Sequence, residues 1–238
     1  SGKNDLGISV TTPELDLKQT ISWKDGIVKQ LTGGVGGLLK KAKVRVVEGW
    51  AEFLDGKTVK VTGKDGETKI TAETICIATG STAVELPNLP FSKDVLSSTD
   101  ALSLKAVPKT MAVIGAGYIG LELGMAYAKL GAKVTIVERE TRILPLYDKE
   151  LTKPVATRLK ALGIDLKLKT SAKTHEDGTL TVTKSDRKDE AIDAEKVLVT
   201  VGRKPVTEGW GRENLVIDMD GPFLKIDSRC QTAMNGIY

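Results

Sequence analysis

Three glycines in one short segment have the spacing of a nucleotide-binding turn. An apolar run over residues 111–114 leads into Gly115, Gly117 and Gly120, in the order Gly-x-Gly-x-x-Gly. The first glycine allows a tight turn after a strand, the second lets backbone N–H groups approach a diphosphate, and the third lets the next helix pack closely on the sheet. A diphosphate would then lie at the positive end of that helix. The spacing therefore predicts a dinucleotide-binding turn.

The residues after this turn complete a strand–helix–strand unit. Apolar side chains over 121–130 recur at helical spacing, and Gly131 is typical of the residue that follows a helix. A second strand over 132–137 ends in Glu138. A carboxylate about 20 residues past the second glycine is expected to meet the ribose hydroxyls of the adenosine. The segment predicts a Rossmann-like unit.

Composition and charge narrow the class of protein. The chain has 238 residues, of which 40% are hydrophobic, 28% charged and 4% aromatic, so glycine and small aliphatic residues supply much of the packing. A net charge of +4, spread along the chain, favours neither a nucleic acid nor an anionic membrane as partner. No apolar run has the length of a membrane span and no signal-peptide pattern opens the chain. We expect a cytoplasmic protein, or a matrix protein in a eukaryote.

The residues that most often carry redox or metal chemistry are sparse. Cys76 and Cys230 stand far apart within apolar or strand-like stretches, which favours buried free thiols over a redox pair. The single histidine, His175, precedes a turn and is expected at the surface. It has no second histidine with which to share a metal ion. The sequence therefore predicts neither a metal site nor a catalytic residue in this chain.

Periodicity predicts the elements around the turn. Apolar positions over 16–31 indicate an amphipathic helix, which the glycines of 33–37 should end, with a short helix after them. Residues 44–73 alternate as an antiparallel meander, and 74–81 form a buried strand that ends in a Gly/Ser turn. A helix over 149–162, a second meander and a buried strand over 195–202 follow.

The order of four motifs resembles the flavoprotein disulfide reductases, and most closely those members that oxidise dihydrolipoamide. The motifs lie at residues 77–81, 115–124, 130–138 and 201–205. The resemblance implies an α/β fold: a Rossmann-like NAD-binding domain with a parallel sheet and an antiparallel meander, plus part of a related FAD-binding domain. It places the partial FAD domain at 1–100, the NAD domain at 101–226 and the start of a return to the FAD domain at 227–238.

The resemblance also implies the cofactor contacts. FAD would pass Thr79, Gly80 and Ser81. In the family, the residues that match Tyr118, Ile119 and Glu122 face the nicotinamide and the flavin. The carboxylate that matches Glu122 pairs there with a lysine, which is missing from this chain. NAD would contact Gly115, Ala116, Gly117, Tyr118, Ile119, Gly120, Glu122, Glu138, Ala172 and Gly202.

The choice between NAD and NADP rests on residues 138–140. Glu138-Arg139-Glu140 places two acids around one base, where an enzyme that uses NADP would place basic residues for the 2′-phosphate. This favours NAD. The resemblance then implies an intact enzyme in which dihydrolipoamide reduces a disulfide, the thiolate passes electrons to FAD, and hydride goes to NAD⁺.

The family's FAD-binding Gly-x-Gly-x-x-Gly, its Cys-x-x-x-x-Cys pair and its interface domain are missing from this sequence. We therefore expect an internal fragment that is inactive by itself. The intact protein is expected to be a homodimer that acts on dihydrolipoamide carried by a 2-oxo acid dehydrogenase complex. Two alternatives stay open: another FAD- and NAD(P)H-dependent disulfide reductase or an NADH oxidase, and a non-catalytic nucleotide-binding module.

Overall fold

A computed structural model describes residues 14–238. The predicted first domain begins at residue 1, so its first 13 residues lie outside the described part of the chain. Within residues 14–238, the elements in chain order are α1 (Leu17–Lys41), β1 (Trp50–Phe53), β2 (Thr58–Gly63), β3 (Gly66–Thr71), β4 (Ser81–Ala83), β5 (Val95–Leu96), α2 (Ser98–Ala101), β6 (Thr110–Ile114), α3 (Tyr118–Lys129), β7 (Lys133–Val137), α4 (Lys149–Ala161), β8 (Asp165–Lys167), β9 (Thr170–Glu176), β10 (Thr179–Lys184), β11 (Asp189–Asp193), β12 (Lys196–Val199), β13 (Arg203–Pro205), a 3-10 turn (Arg212–Asn214), β14 (Met219–Asp220) and β15 (Phe223–Leu224).

The chain divides into two compact units, each described separately below. The first unit holds the described residues up to Leu31 together with Val84–Gly202, and the second holds Thr32–Ala83 and Arg203–Tyr238. These bounds differ from the predicted divisions after residues 100 and 226, because the predicted domains are defined by the cofactor that each would bind and the two units by the compactness of the chain. None of the helices in the described part of the chain is both long and apolar enough to cross a membrane.

A parallel sheet forms the centre of the first unit. Its five strands lie in the order β5-β12-β6-β7-β8, and every neighbouring pair is parallel. Strands β6, β7 and β12 are almost wholly buried, as expected for a parallel sheet that is covered on both faces. The predicted α/β fold with a parallel sheet is confirmed.

Successive residues of β6 point to opposite faces of this sheet. Met111 and Val113 belong to one apolar cluster, which also contains Leu121 of α3 and Leu159 of α4. Ala112 and Ile114 belong to a second cluster, which contains buried side chains of the antiparallel meander β9-β10-β11. The sheet therefore lies between helices and a meander, and the carboxyl ends of β6, β7 and β12 are held by packing on both sides.

The second unit contains several antiparallel pairs. Strands β1, β2 and β3 form the predicted meander, and β4 pairs with β13. Its core contains Phe53, Trp210, Leu215 and Ile237, with the first two rings 5.7 Å apart between centroids. The two meanders of the sequence thus lie in different units.

The predicted buried strand over 74–81 is wrong: this segment makes one isolated parallel bridge, between Ile75 and Ile237, most of its residues are exposed, and β4 begins only at Ser81. An apolar run predicts a strand only where neighbouring strands pair with it and cover it.

The expected end of the first helix at residues 33–37 is wrong. Helix α1 is continuous over 25 residues and includes all five glycines of its sequence. Each glycine costs roughly 1 kcal/mol relative to alanine in a helix interior, but its N–H still joins the hydrogen-bond ladder, unlike proline. The short helix expected after the glycines is the last turn of α1. Its apolar side chains stay largely exposed, as Trp23 (68%) and Leu38 (67%) show.

A group of ion pairs joins the meander of the first unit to the edge of its parallel sheet. Lys167 Nζ of β8 donates to Glu190 Oε1 of β11 at 2.8 Å and lies 3.0 Å from Asp165 Oδ2. Lys184 Nζ of β10 lies 2.7 Å from Glu190 Oε2, as an ion pair without the alignment of a hydrogen bond. The hydrogen bond from Lys167, and then the contact with Lys184, lower the pKa of Glu190 from 4.5 to about 2.

The first prediction concerns the acid stability of this group. Because the pKa of Glu190 is lower in the folded protein, its contribution is present above pH 4.5 and is lost as the pH falls toward 2. The difference in free energy of unfolding between wild type and Glu190→Gln should therefore be larger at pH 6 than at pH 3, as measured by urea titration. The control is Glu176→Gln, which removes an exposed carboxylate of β9. A difference for Glu190→Gln that does not change with pH would contradict the argument.

The second prediction tests the continuity of α1. A Cβ at Gly33 or Gly36 would meet no atom within 4 Å, so alanine fits at either position. Gly33→Ala and Gly36→Ala should each stabilise the helix by roughly 1 kcal/mol, seen as slower amide hydrogen exchange over 30–40. Gly66→Ala is the matched control. It also has open space, but its φ of +112° should make alanine destabilising. Unchanged exchange in both helix variants would mean that the glycine segment is not helical in solution.

Candidate functional site

The predicted nucleotide-binding turn follows β6 directly. Gly115 has φ +99°, and a Cβ at this position would lie 2.6 Å from the carbonyl oxygen of Thr200. Both facts require glycine, since left-handed backbone disfavours other residues and the neighbouring strand end leaves no room for a side chain. The N–H of Gly115 donates to the carbonyl of Val137 at 2.8 Å, so the turn starts from a fixed point on the sheet.

Hydrogen bonds fix the two peptide units that follow Gly115. The carbonyl oxygen of Gly115 lies 3.2 Å from Thr200 Oγ1, and the N–H of Ala116 donates to Glu138 Oε2 at 2.6 Å. The carbonyl oxygen of Ala116 accepts the N–H of Leu144 at 3.0 Å. Side chains from two strand ends and a backbone N–H from one loop therefore set the orientation of the turn.

Gly117 is the N-cap of α3 and the most open residue of the turn. A Cβ added there would meet nothing within 4 Å, and its N–H has no acceptor within the described part of the chain. Helix α3 also has no side-chain cap and no acidic residue in its first turn. The first N–H groups of such a helix are available to an anion, and the helix dipole favours negative charge there.

Gly120 is the point at which α3 comes closest to the turn. A Cβ here would lie 2.2 Å from the carbonyl oxygen of Gly115 and 2.5 Å from Thr200 Oγ1. This is the close packing expected of the third glycine. By contrast, a Cβ at Gly124 would make only ordinary contacts, at 3.5 Å and beyond.

Glu138 has a structural role that its spacing did not predict. Its side chain is nearly buried, and its two carboxylate oxygens accept the N–H groups of Ala116 and Glu140. Each carboxylate oxygen has a second lone pair with which it can accept another hydrogen bond. The carboxylate is therefore held in place beside the turn, and its contact with a ribose stays a prediction.

The other expected NAD contacts lie in the same unit. Tyr118 and Glu122 are exposed and one helical turn apart on α3, with Ile119 half-buried between them. Ala172 is half-buried in β9 and packs against the second apolar cluster. Gly202 follows β12 with φ +134°. These positions and the turn all belong to one compact unit.

The three residues expected near FAD belong to the second unit and make internal contacts there. Thr79 Oγ1 donates to the carbonyl of Val206 at 2.7 Å, and the N–H of Val206 donates to the carbonyl of Gly80. Arg203 Nε donates to Ser81 Oγ at 2.8 Å. These bonds fix the antiparallel pair β4–β13, and the contact with FAD stays a prediction.

Two expectations about isolated side chains are corrected. Cys76 and Cys230 are free thiols as predicted, but both are exposed rather than buried. His175 is half-buried rather than at the surface, and its Nε2 lies 2.8 Å from the carbonyl oxygen of Ala194. The apolar residues beside each cysteine in the sequence favoured burial, but they do not determine whether the cysteine side chain itself points to the core or to solvent. Among the described residues, no cluster of His, Cys, Asp and Glu could hold a metal ion.

Sequence reasoning missed residues that hold the site without matching its motif. Thr200 lies within the strand predicted over 195–202 and directly follows β12, but its place beside the turn depends on the pairing of β12 with β6, which no local pattern shows. The guanidinium of Arg142 donates to carbonyls of the 144–147 segment, which has no periodic pattern. Asn88 Nδ2 donates to the carbonyls of Ala172 and Lys173 from a proline-rich loop.

Comparison with known proteins identifies the family. The pyridine nucleotide-disulphide oxidoreductase family matches residues 6–238, and the chain belongs to that family. A dihydrolipoyl dehydrogenase of Pseudomonas aeruginosa is 47% identical over all of this chain, and one of Geobacillus stearothermophilus is 42% identical over 98% of it. The chain spans 52% and 51% of their lengths, or about half of each.

Solved structures give the same family. LpdA of Mycobacterium tuberculosis superposes on 95% of the chain with a TM-score of 0.85 and 25% identity, and this chain covers 51% of it. A second structure is the Cu(II) complex of the HOCl-induced flavoprotein disulfide reductase RclA of Escherichia coli. It superposes on 94% of this chain with a TM-score of 0.83 and 30% identity, and this chain covers 51% of it. The expected resemblance to flavoprotein disulfide reductases is confirmed.

The third prediction concerns the glycines of α3. Gly120→Ala would force a Cβ against the backbone of the turn and should destabilise the protein by about 1–3 kcal/mol. Gly124→Ala, in the same helix, should be neutral or stabilise by roughly 0.5–1 kcal/mol, because its Cβ fits. Urea unfolding of both variants measures the difference. Equal stabilities would show that α3 does not approach the turn this closely.

Proposed function

We propose that this chain binds NAD(H) across the turn at residues 115–120. The observation that carries the proposal is the open N-terminus of α3, where Gly117 presents an N–H without an acceptor in the described chain and no side chain fills the space. A diphosphate fits such a site because several N–H groups and the helix dipole attract it. When bound, NAD supplies the hydride acceptor, and the role of the protein is to hold and orient it.

The acidic end of β7 supports NAD over NADP. The carboxylate of Glu138 is fixed by two backbone N–H groups, so it cannot turn away from a ligand at the strand end without losing both. A ribose with free hydroxyls can donate to that carboxylate, whereas a 2′-phosphate would be repelled by it. Arg139 is 82% exposed and lies 3.9 Å from Glu140, and it makes only a weak surface pair.

We propose further that the chain is the NAD(H)-binding portion of a dihydrolipoamide dehydrogenase. The supporting finding is 47% identity to a dihydrolipoyl dehydrogenase over the full chain. In that proposal, the intact protein binds FAD as well as NAD. It acts as a homodimer on dihydrolipoamide that a 2-oxo acid dehydrogenase complex carries. The chain alone is proposed to be inactive toward dithiols, because Cys76 and Cys230 lie in the sequence without a second cysteine nearby.

A second candidate is another flavoprotein disulfide reductase. The likeness to RclA, at 30% identity, favours it, although that identity is lower than for the dihydrolipoyl dehydrogenases. NAD⁺ reduction by dihydrolipoamide, measured with the longest natural protein that contains this sequence, separates the two. Turnover supports a dihydrolipoamide dehydrogenase, and its absence together with reduction of another disulfide supports the second candidate.

The fourth prediction tests NAD(H) binding directly. Calorimetric titration of the 238-residue chain with NADH should give saturable binding, and NADPH should bind at least about tenfold more weakly, a difference of about 1.4 kcal/mol. Gly117→Ala is the matched variant. It adds a methyl group where no protein atom lies within 4 Å, so it should fold normally and bind NADH more weakly. The proposal fails for the isolated chain if neither nucleotide binds.

A further inference from the structure

One side chain organises the loop that follows β7. The guanidinium of Arg142 donates through Nη1 to the carbonyl of Tyr147 at 2.7 Å and through Nη2 to the carbonyl of Pro145 at 2.5 Å. Nη1 also lies 3.5 Å from the carbonyl oxygen of Leu144. A guanidinium can do this because it carries five N–H donors in a rigid plane, whereas a lysine ammonium has no such fixed fork.

The loop needs this support because Leu144 is held in an unfavourable conformation. Its φ is +46°, in the left-handed region that non-glycine residues rarely adopt. Such a residue persists only when its surroundings fix it. Ile143 beside it is buried in the same apolar cluster as Ala116, which anchors one end of the loop, and Arg142 holds the carbonyls on the other side.

The strained residue makes the contact that reaches the turn. The N–H of Leu144 donates to the carbonyl of Ala116 at 3.0 Å. That carbonyl and the N–H of Gly117 belong to one planar trans peptide, in which C=O and N–H point in opposite directions. Fixing the carbonyl toward the loop therefore aims the Gly117 N–H away from it, toward the open N-terminus of α3.

We propose that Arg142 is a positioning residue for the diphosphate of NAD(H): it holds Leu144 so that the Ala116–Gly117 peptide presents its N–H to the ligand. This inference rests on the proposed function above. Arg142 acts through the loop, so its effect should fall on the part of the ligand that meets Gly117. The adenosine moiety, whose ribose is expected at Glu138, should be affected little.

The fifth prediction compares Arg142→Lys with wild type in the 238-residue chain. The substitution keeps the charge and removes the planar fork. NADH should bind about tenfold or more weakly, as measured by fluorescence titration, while adenosine, measured by NMR shift titration, should bind within about twofold of wild type. Arg158→Lys, which makes the same change at an exposed position of α4, is the matched control and should alter neither affinity.

Each result decides a different point. If wild type binds NADH and Arg142→Lys binds it equally well, the positioning role is wrong and the proposed function stands. If the variant loses NADH and adenosine affinity to the same degree, Arg142 only stabilises the fold and the inference is again wrong. If wild type binds no NADH, the proposed function fails and the inference fails with it.

A measurement on wild type tests the contact between Leu144 and Ala116, which the proposal requires, even if Arg142→Lys does not fold. By thermodynamic linkage, a ligand that binds more tightly when the Leu144 N–H is bonded to the Ala116 carbonyl also stabilises that hydrogen bond. Saturating NADH should therefore slow hydrogen exchange of the Leu144 amide by about fivefold or more. The reference is the amide of Ala194, which is bonded within the meander to the carbonyl of Gly178. An equal change at the two amides would contradict the proposal.

Discussion

The bond between the Ala116 N–H and the Glu138 carboxylate is the contact on which the site depends. It joins the turn after β6 to the end of the neighbouring parallel strand, at a distance of 2.6 Å between nearly buried groups. A charged acceptor makes such a bond stronger than a neutral one, and burial reduces its competition with water. The turn is therefore positioned by the register of β6 against β7, which the apolar packing on both faces of the sheet fixes.

The site also requires the turn, the end of β12 and α3 to approach one another closely, which only glycine allows at positions 115 and 120. The carbonyl of Thr200 and its hydroxyl occupy the space that a side chain at Gly115 or Gly120 would need. The end of β12, the turn and α3 thus meet closely, with the Thr200 hydroxyl bonded to the turn where they come together. Gly117, between these two crowded positions, is open, since a Cβ there would meet no atom within 4 Å.

The sequence predicted the parts of this arrangement that depend on local pattern. The glycine spacing, the helix that follows and the acid at the end of β7 are all within about 25 residues, and the structure has a turn after β6, helix α3 and then Glu138 directly after β7. Thr200, Arg142 and Asn88 could not be found in this way, because their roles depend on strand order and loop conformation. The predicted end of helix α1 is wrong for a different reason: glycine has a low helix propensity, but it does not prevent the hydrogen bonds that continue a helix.

Glu138 connects nucleotide choice to the shape of the turn. In the proposed function its carboxylate meets the adenosine ribose, and in the structure the same carboxylate holds the Ala116 N–H. The acid that would exclude a 2′-phosphate is therefore also an acceptor that the turn requires. Removing it would admit the phosphate but leave a nearly buried N–H without its partner, at a cost of about 1–3 kcal/mol. A change of nucleotide in this fold thus requires a second acceptor for Ala116, so cofactor preference is a property of the whole turn rather than of one side chain.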